Sequence, residues 1–433
     1  MAYLIIMLIC VSVYYRTIKY GTVVDDDYFR AHSKQYTYKN IVSRLHYLIK
    51  GLHPVKDLKL DHAITIAIHT IVCMLIYSAF GYLSASLLFA VNLSNNQVSI
   101  WLNGKRYGAN TIVCLLAYIF APYGIVLWLM TPFFQPSAIM FPLVLALKGY
   151  WWLGLIIPVG IVIGNGYIIK WAKFRAGMIP VKELKTWNIR KIPFILKTYA
   201  FYFFRGIFPM APMLYISYLG RYGFTNDKTE EAYKIDFIAV IGAIIVIFIP
   251  LLYLGYPKIM FGFMWWLIMI SLFNNWITIT VPFGERYMYL PNVGLMLGLS
   301  ELLNLIHPFA WFFVFGVYLG RLVVYTPMYR NMNIWLKHHT YTNPLCEMAW
   351  VYRVNESNVK NDVSASLRIV DEGLENCPDS PRLWLHKSAI SKSLGNQTIA
   401  NNCIARAKEN CSGDFGKLFL KKIEQVEKEI INK

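Results

Sequence analysis

Residues Ala2 to Tyr15 form an almost unbroken apolar run, and the charged residues Arg16 and Lys19 follow it directly. No small-residue cleavage pattern closes the run, so it reads as a retained first membrane span and not as a removed signal peptide. Beyond Asp27 the pattern changes. Ile41, Val42, Leu45, Leu48, Ile49 and Leu52 recur at helical spacing, with Arg44, His46 and Lys50 between them. That spacing gives a helix with one apolar face, lying flat on a membrane surface or forming an ordinary helix of a water-exposed loop.

Apolar stretches that approach the roughly 20 residues a spanning helix needs then recur near 62–80, 151–170, 192–213, 236–254, 258–274, 289–306 and 308–326. Shorter ones lie near 82–93 and 108–147, the latter interrupted by Pro122, Pro132, Pro136 and Pro142. Together they predict an all-α polytopic bundle of about eleven spans. The stretch Lys170–Lys191 is basic with Glu183 as its one acid, which places it in the cytosol by the positive-inside tendency. The basic loop Arg16–Lys59 would be cytosolic by the same rule. An amphipathic helix and a phosphate-binding task supply another reason for its bases, and on that reading residues 16–61 are the first extracytoplasmic loop.

After the last apolar stretch the pattern becomes polar and repeats. Glu375-Asn376-Cys377 returns as Glu409-Asn410-Cys411, 34 residues on, which is the tetratricopeptide period. Trp384, Gly395, Ala400 and Ala407 fall at that repeat's Trp and small-residue offsets, and a degenerate upstream unit covers about 343–377. The division is a transmembrane domain at 1–326 and a helical-repeat tail at 327–433. So short an array needs a neighbour, either the membrane domain or a protein partner.

Composition agrees with a membrane solvent. Of 433 residues 57% are hydrophobic and 15% charged, more apolar surface than a water-soluble fold can hide. The net charge of +18 is unevenly placed: 15 bases and 12 acids lie in 327–433, which leaves 27 bases against 12 acids in the first 326 residues. That excess suits lipid head groups or phosphates, and no nucleic-acid motif accompanies it. Cys10, Cys73 and Cys114 sit in apolar runs and read as small hydrophobes. Cys346, Cys377, Cys403 and Cys411 lie in the tail, where a disulfide would form only outside the cytosol and the spacing does not fix its pairing.

Three clusters carry candidate chemistry. Asp25-Asp26-Asp27 places paired carboxylates soon after the first span, suited to taking a proton from a hydroxyl or holding a metal; a solvated loop or a helix cap also fits. Gly284-Glu285-Arg286-Tyr287 puts an arginine at the junction of two apolar segments, suited to binding a phosphate with Glu285 orienting it, or simply snorkelling beside an aromatic belt. Lys105 and Arg106 follow Gly104 at a span boundary, as a phosphate site or a topology signal. His62 and His69 are seven apart, not the i, i+4 spacing of a metal pair, and read as packing or hydrogen-bonding residues.

Asp25-Asp26, Asp61-His62 through His69, Trp101 to Tyr107, Gln135 to Pro142, Tyr202 to Pro209 and Glu285-Arg286-Tyr-Met-Tyr-Leu-Pro291-Asn-Val-Gly294 occur in an order that resembles the polytopic GT-C glycosyltransferases. The likeness is greatest to the branch bearing tetratricopeptide repeats, which includes protein O-mannosyltransferases. The resemblance implies transfer of a sugar from a polyprenyl-phosphate donor to a protein or glycan acceptor on the non-cytosolic side, with inversion. Asp25 or Asp26 would be the general base. Arg286 would neutralise the leaving phosphate, with Lys105, Arg106, Glu285 and Tyr287 completing the donor site. Asn92-Leu93 and Gln97 stand where relatives often carry His-Pro and a Glu, and no metal ligand set or other cofactor is identified. The protein is expected in a bacterial inner membrane facing the periplasm, or in the endoplasmic reticulum facing the lumen. Two rivals are a lipid-linked oligosaccharide flippase, which would spread charges along its spans, and a non-catalytic assembly subunit that docks partners through its repeats.

Overall fold

The structure is a computed structural model and describes residues 1–23, 57–129, 131, 136–159, 189–208, 210–211, 234–273, 284–411, 419–420 and 423–424. Among the described residues all regular structure is helical. They form two compact units, one drawn from residues 1–332 and one holding residues 333–433.

In the first unit the principal helices are α1 (Ala2–Tyr14), α2 (Leu58–Phe80), α3 (Leu83–Val91), α4 (Lys105–Ile119), α5 (Ile192–Ile207), α6 (Phe237–Leu251), α7 (Pro257–Ser271), α8 (Pro291–Ile306) and α9 (Ala310–Tyr325). A shorter helix, Phe141–Leu147, lies between α4 and α5 and packs on α7. Among the described residues four helical stretches are long and apolar enough to cross a membrane: Ala2–Lys19, Leu58–Phe80, Phe237–Leu254 and Ala310–Arg330. Their outward faces are apolar, as shown by Leu4, Leu8 and Val11 on α1, Ile244, Ile247 and Phe248 on α6, and Phe313, Val323 and Val324 on α9. Such faces suit lipid better than water. The apolar helices Pro257–Ser271 and Pro291–Ile306 are shorter.

The centre of this unit is α3. It is apolar on every side and buried from Ser84 to Val91, which its small Ser and Ala residues permit. Around it stand α1, α2, α8 and α9. A close helix crossing joins α7 and α8. A Cβ on Gly262 would lie 2.3 Å from the Gly298 backbone nitrogen, and one on Gly294 would lie 2.4 Å from the Trp265 side chain. Gly294 and Gly298 form a small-xxx-small face that lets two apolar helices touch backbone to backbone, gaining dispersion contacts where lipid offers no hydrophobic drive. Helix ends follow ordinary rules: Asp57 caps α2 by accepting from Lys59 N–H at 2.9 Å, and Gly81 closes it in the left-handed region at φ 78°. Asp236 caps α6 by accepting from Ile238 and Ala239 N–H.

The second unit contains α10 (Met332–Thr342), α11 (Glu347–Val359), α12 (Val363–Asn376), α13 (Pro381–Ser393) and α14 (Gln397–Glu409). The 34-residue repeat is visible in its hydrogen bonds. Trp350 Nε1–H donates to Pro344 O at 2.7 Å, and Trp384 Nε1–H donates to Pro378 O at 2.8 Å. Asp362 caps α12, and Asn396 caps α14 at the matching position. Starts of α11 and α13, and of α12 and α14, differ by the same interval. Helix starts, caps and tryptophan hydrogen bonds thus recur at a 34-residue interval across 344–409. Trp350, Val354, Val370, Leu374 and Leu383 form a hydrophobic core there. No disulfide joins Cys346, Cys377, Cys403 and Cys411. The amphipathic stretch at 41–52 and the basic stretch at 170–188 lie outside the described residues.

Candidate functional site

Five chain segments bring polar residues to one end of the first unit: the start of α2, residues 92–104, the start of α4, the end of α5, and residues 284–292 that lead into α8. Residues 92–99 would be costly to bury unless every polar group had a partner. A network supplies partners for Asn92, Ser94 and Asn95. Asn92 Nδ2–H donates to Gly206 O at 2.8 Å, and its Oδ1 accepts from Ser94 N–H. Asn292 Nδ2 donates to Ser94 Oγ and Asn95 Oδ1, both at 2.9 Å. Asn95 Nδ2–H closes back onto Phe89 O at 2.9 Å. Asn92 thus ties the end of α3 to α5, and Asn292 ties the same loop to α8.

Gly104 sets the approach of α4. A Cβ there would fall 2.6 Å from Gln97 O and 2.7 Å from Val98 Cα, so a side chain would push the start of α4 away. Next to it, the Lys105 ammonium forms a buried ion pair with Asp61. Lys105 thus reaches the site already neutralised, and it joins α4 to α2. A second buried ion pair forms between Arg205 on α5 and Glu285, with Arg205 Nε–H donating to Glu285 Oε1 at 2.9 Å and Arg205 Nη2 reaching the same oxygen. Arg205 also donates to Ala211 O. Glu285 therefore holds Arg205, where the sequence suggested that it orients Arg286. The Arg286 backbone is set by Gln97, whose Oε1 accepts its N–H at 3.3 Å. Gln97 thus positions the chain at Arg286.

Between the two ion pairs stands an aromatic enclosure with two arginines. The Arg286 guanidinium lies 5.6 Å from the Trp101 ring and 5.0 Å from the Tyr287 ring, within cation–π range. Arg106 lies 5.2 Å from the Tyr107 ring, and the Tyr107 and Tyr287 rings are 6.4 Å apart. Tyr287 stacks on Phe273 at 4.2 Å with an interplanar angle of 6°. Burial pushes the Tyr287 hydroxyl up against the opposing pull of the Arg286 guanidinium. Arg106 Nε is buried and has no hydrogen-bond partner among the described residues. Two cations grouped around one aromatic wall form a place for an anion, and the guanidinium fork matches phosphate oxygens.

Asp25 and Asp26 lie outside the described residues. The chain that leads to them is described up to Val23, which is buried, and Tyr20 and Gly21 lie beside His62. Where the description resumes, Asp57 begins α2, one turn before Asp61. Both ends of the interval therefore open at the end of the unit where Lys105 sits.

Sequence reading missed Asp61, Arg205 and Asn292 as members of the site. A lone Arg in the apolar helix α5 was the available signal, because such a residue needs a partner. Comparison with protein-family models, with curated proteins and with solved structures gives no match.

Proposed function

We propose that the protein is an inverting glycosyltransferase that uses a polyprenyl-phosphate sugar. The observation that supports this reading most is the placement of Arg106 over Tyr107 and of Arg286 over Tyr287, two rings 6.4 Å apart, with a buried Arg106 Nε that has no hydrogen-bond partner among the described residues. Lys105 and Arg205 are charge-balanced by Asp61 and Glu285, so they hold the enclosure in shape. Arg106 stands over Tyr107 and Arg286 over Trp101 and Tyr287, so the two guanidinium groups border one aromatic lining suited to the first isoprenes of a lipid carrier.

In the proposed reaction Asp25 or Asp26 takes the proton of an acceptor hydroxyl. The oxygen attacks the anomeric carbon from the side opposite the phosphate, the bond from that carbon to the phosphate oxygen breaks, and its electron pair leaves on the polyprenyl phosphate. Arg106 and Arg286 stabilise the growing phosphate charge, with Tyr287 as their wall. A lipid-borne donor fits a site at the end of a membrane bundle. The reading includes about eleven spans, a tetratricopeptide-like tail that binds a protein, and a non-cytosolic active face. Among the described residues the ion pairs Asp61–Lys105, Arg205–Glu285 and Lys197–Asp236 tie helices together and do not form a file along a span, which favours a transferase over a flippase.

The test is binding of a polyprenyl monophosphate to the full chain in lipid nanodiscs, followed by transfer from polyprenyl-phosphate sugars to hydroxyl acceptors. Arg106→Ala and Arg286→Ala are expected to weaken phosphate-lipid binding at least about tenfold each, since a charge-assisted contact is worth about 1.5–3 kcal/mol. Asp25→Asn with Asp26→Asn should keep binding and lose transfer. Unchanged binding in both arginine variants would overturn the assignment of the site.

A further inference from the structure

Away from the arginine enclosure, three soft donor atoms meet inside the bundle. Cys10 of α1, and His69 and Cys73 of α2, place one donor atom each within 4.8 Å of one another. All three residues are buried. Cys73 Sγ is 3.9 Å from His69 Nε2. With metal–sulfur bonds of about 2.3 Å and metal–nitrogen bonds of about 2.0 Å, ligand atoms around one ion sit about 3.5–4 Å apart, so the trio is close to that spacing without rearrangement of the helices.

The surroundings of His69 are those of a ligand. Its Nδ1 is 2.6 Å from the Tyr289 hydroxyl, and its Nε2 is 3.2 Å from Ala90 O. Tyr289 can donate to Nδ1, with the ring proton on Nε2 facing Ala90 O. It can also accept from Nδ1–H, and Nε2 then presents its lone pair to the two sulfurs. The change of tautomer moves no heavy atom. Ala90 O would keep a partner, because Tyr14 OH donates to it at 3.0 Å. An outer group that fixes the tautomer and orientation of the ring is what metal-bound histidines ordinarily have.

We propose that Cys10, His69 and Cys73 bind one thiophilic d10 cation, with Tyr289 as the residue that orients His69. Two thiolates, one neutral imidazole and Zn2+ sum to zero charge, which suits the low-dielectric interior of a membrane bundle. Cu+ would accept the same three donors with no fourth ligand. The thiol protons leave as the ion enters, and no oxidant or reductant is needed. The site joins α1 to α2. It adds a role to Cys10 and Cys73, which the sequence presents as small hydrophobes, and to His69, which it presents as a packing or hydrogen-bonding residue, and it stands independently of the transferase proposal.

The experiment uses the full chain in lipid nanodiscs, purified with a non-coordinating reductant and loaded with Zn2+ in one arm and Cu+ in the other, each against a chromogenic competitor. One equivalent is expected to bind in one arm. Cys10→Ser, Cys73→Ser and His69→Gln should each lower the affinity by more than about tenfold, and Tyr289→Phe by about tenfold, the lower end of the effect of a second-sphere change. Cys114→Ser should bind as wild type does. X-ray absorption of the loaded wild-type protein should show two sulfurs and one imidazole nitrogen, a result that does not depend on any variant folding. No binding in either arm, oxygen and nitrogen ligands alone, or a quantitative Cys10–Cys73 disulfide in protein isolated without reductant would each overturn the proposal.

Discussion

The Asp61–Lys105 ion pair holds α2 and α4 together beside the proposed phosphate site, and its two side chains are 1% and 5% exposed. With so little solvent to screen them, removing one partner strands a charge. Asp61→Asn or Lys105→Met should therefore destabilise the protein by about 3–5 kcal/mol, whereas replacing both with residues of similar volume, as in Asp61→Leu with Lys105→Met, should recover most of that loss. At about 2 °C per kcal/mol for a large domain, each single variant should lower Tm by about 6–10 °C. Tryptophan fluorescence melting in detergent would read this, with polyprenyl-phosphate binding measured on the same samples. If Lys105 only holds α4 in place, the double variant regains both Tm and most of the binding. Equal Tm values for wild type and both single variants would refute the reasoning, because the pair would then contribute nothing.

Glycine positions in the α7–α8 crossing should be intolerant: Gly262→Ala and Gly294→Ala both place a Cβ within 2.5 Å of existing atoms and should cost about 1–3 kcal/mol each, measured by melting. Lys197 and Asp236 form an ion pair at 2.8 Å. Burial pushes the Asp236 carboxyl up, but the Lys197 hydrogen bond and the backbone N–H groups of Ala239 and Ile238 outweigh it, leaving the group below its ordinary value. Its stabilisation is thus fully present above the ordinary carboxylate range and fades as pH falls through that range to the lowered folded value; Asp236→Asn should flatten this part of a Tm-against-pH curve. In the tail, burial pushes the Cys346 thiol up to about 12. Alkylation of Cys346 at pH 8 should then be at least about a hundredfold slower in the folded protein than in urea, read by mass spectrometry.

Much of the fold was legible because the bilayer imposes long apolar runs. The stretches near 62–80, 236–254, 258–274, 289–306 and 308–326 correspond to α2, α6, α7, α8 and α9 within a few residues. The interrupted stretch 108–147 resolves into α4, the short segments around Ile125–Trp128 and Pro136–Met140, and the helix Phe141–Leu147, as its prolines suggested. The 34-residue interval seen in Glu375-Asn376-Cys377 and Glu409-Asn410-Cys411 also separates the hydrogen bonds of Trp350 and Trp384. The pairings inside the site were not legible. Lys105 meets Asp61 and Arg205 meets Glu285 across 44 and 80 residues of chain, separations that no local pattern encodes. Glu285 was assigned to its chain neighbour Arg286 for the same reason: adjacency in sequence was visible, and the approach of α5 was not. Cys10 and Cys73 looked like small apolar residues because each sits alone in its run, and only the packing of α1 on α2 brings them to His69.

A structure of the full chain with a bound polyprenyl phosphate would bear most directly on the proposed chemistry. The phosphate is expected within about 4 Å of both the Arg106 and Arg286 guanidinium groups, a distance at which ion pairs form, with the Asp25 or Asp26 carboxylate on the same face of the bundle and across the sugar site from the phosphate. A phosphate seated away from both arginines, or first-loop aspartates on the opposite side of the membrane, would contradict the transferase reading.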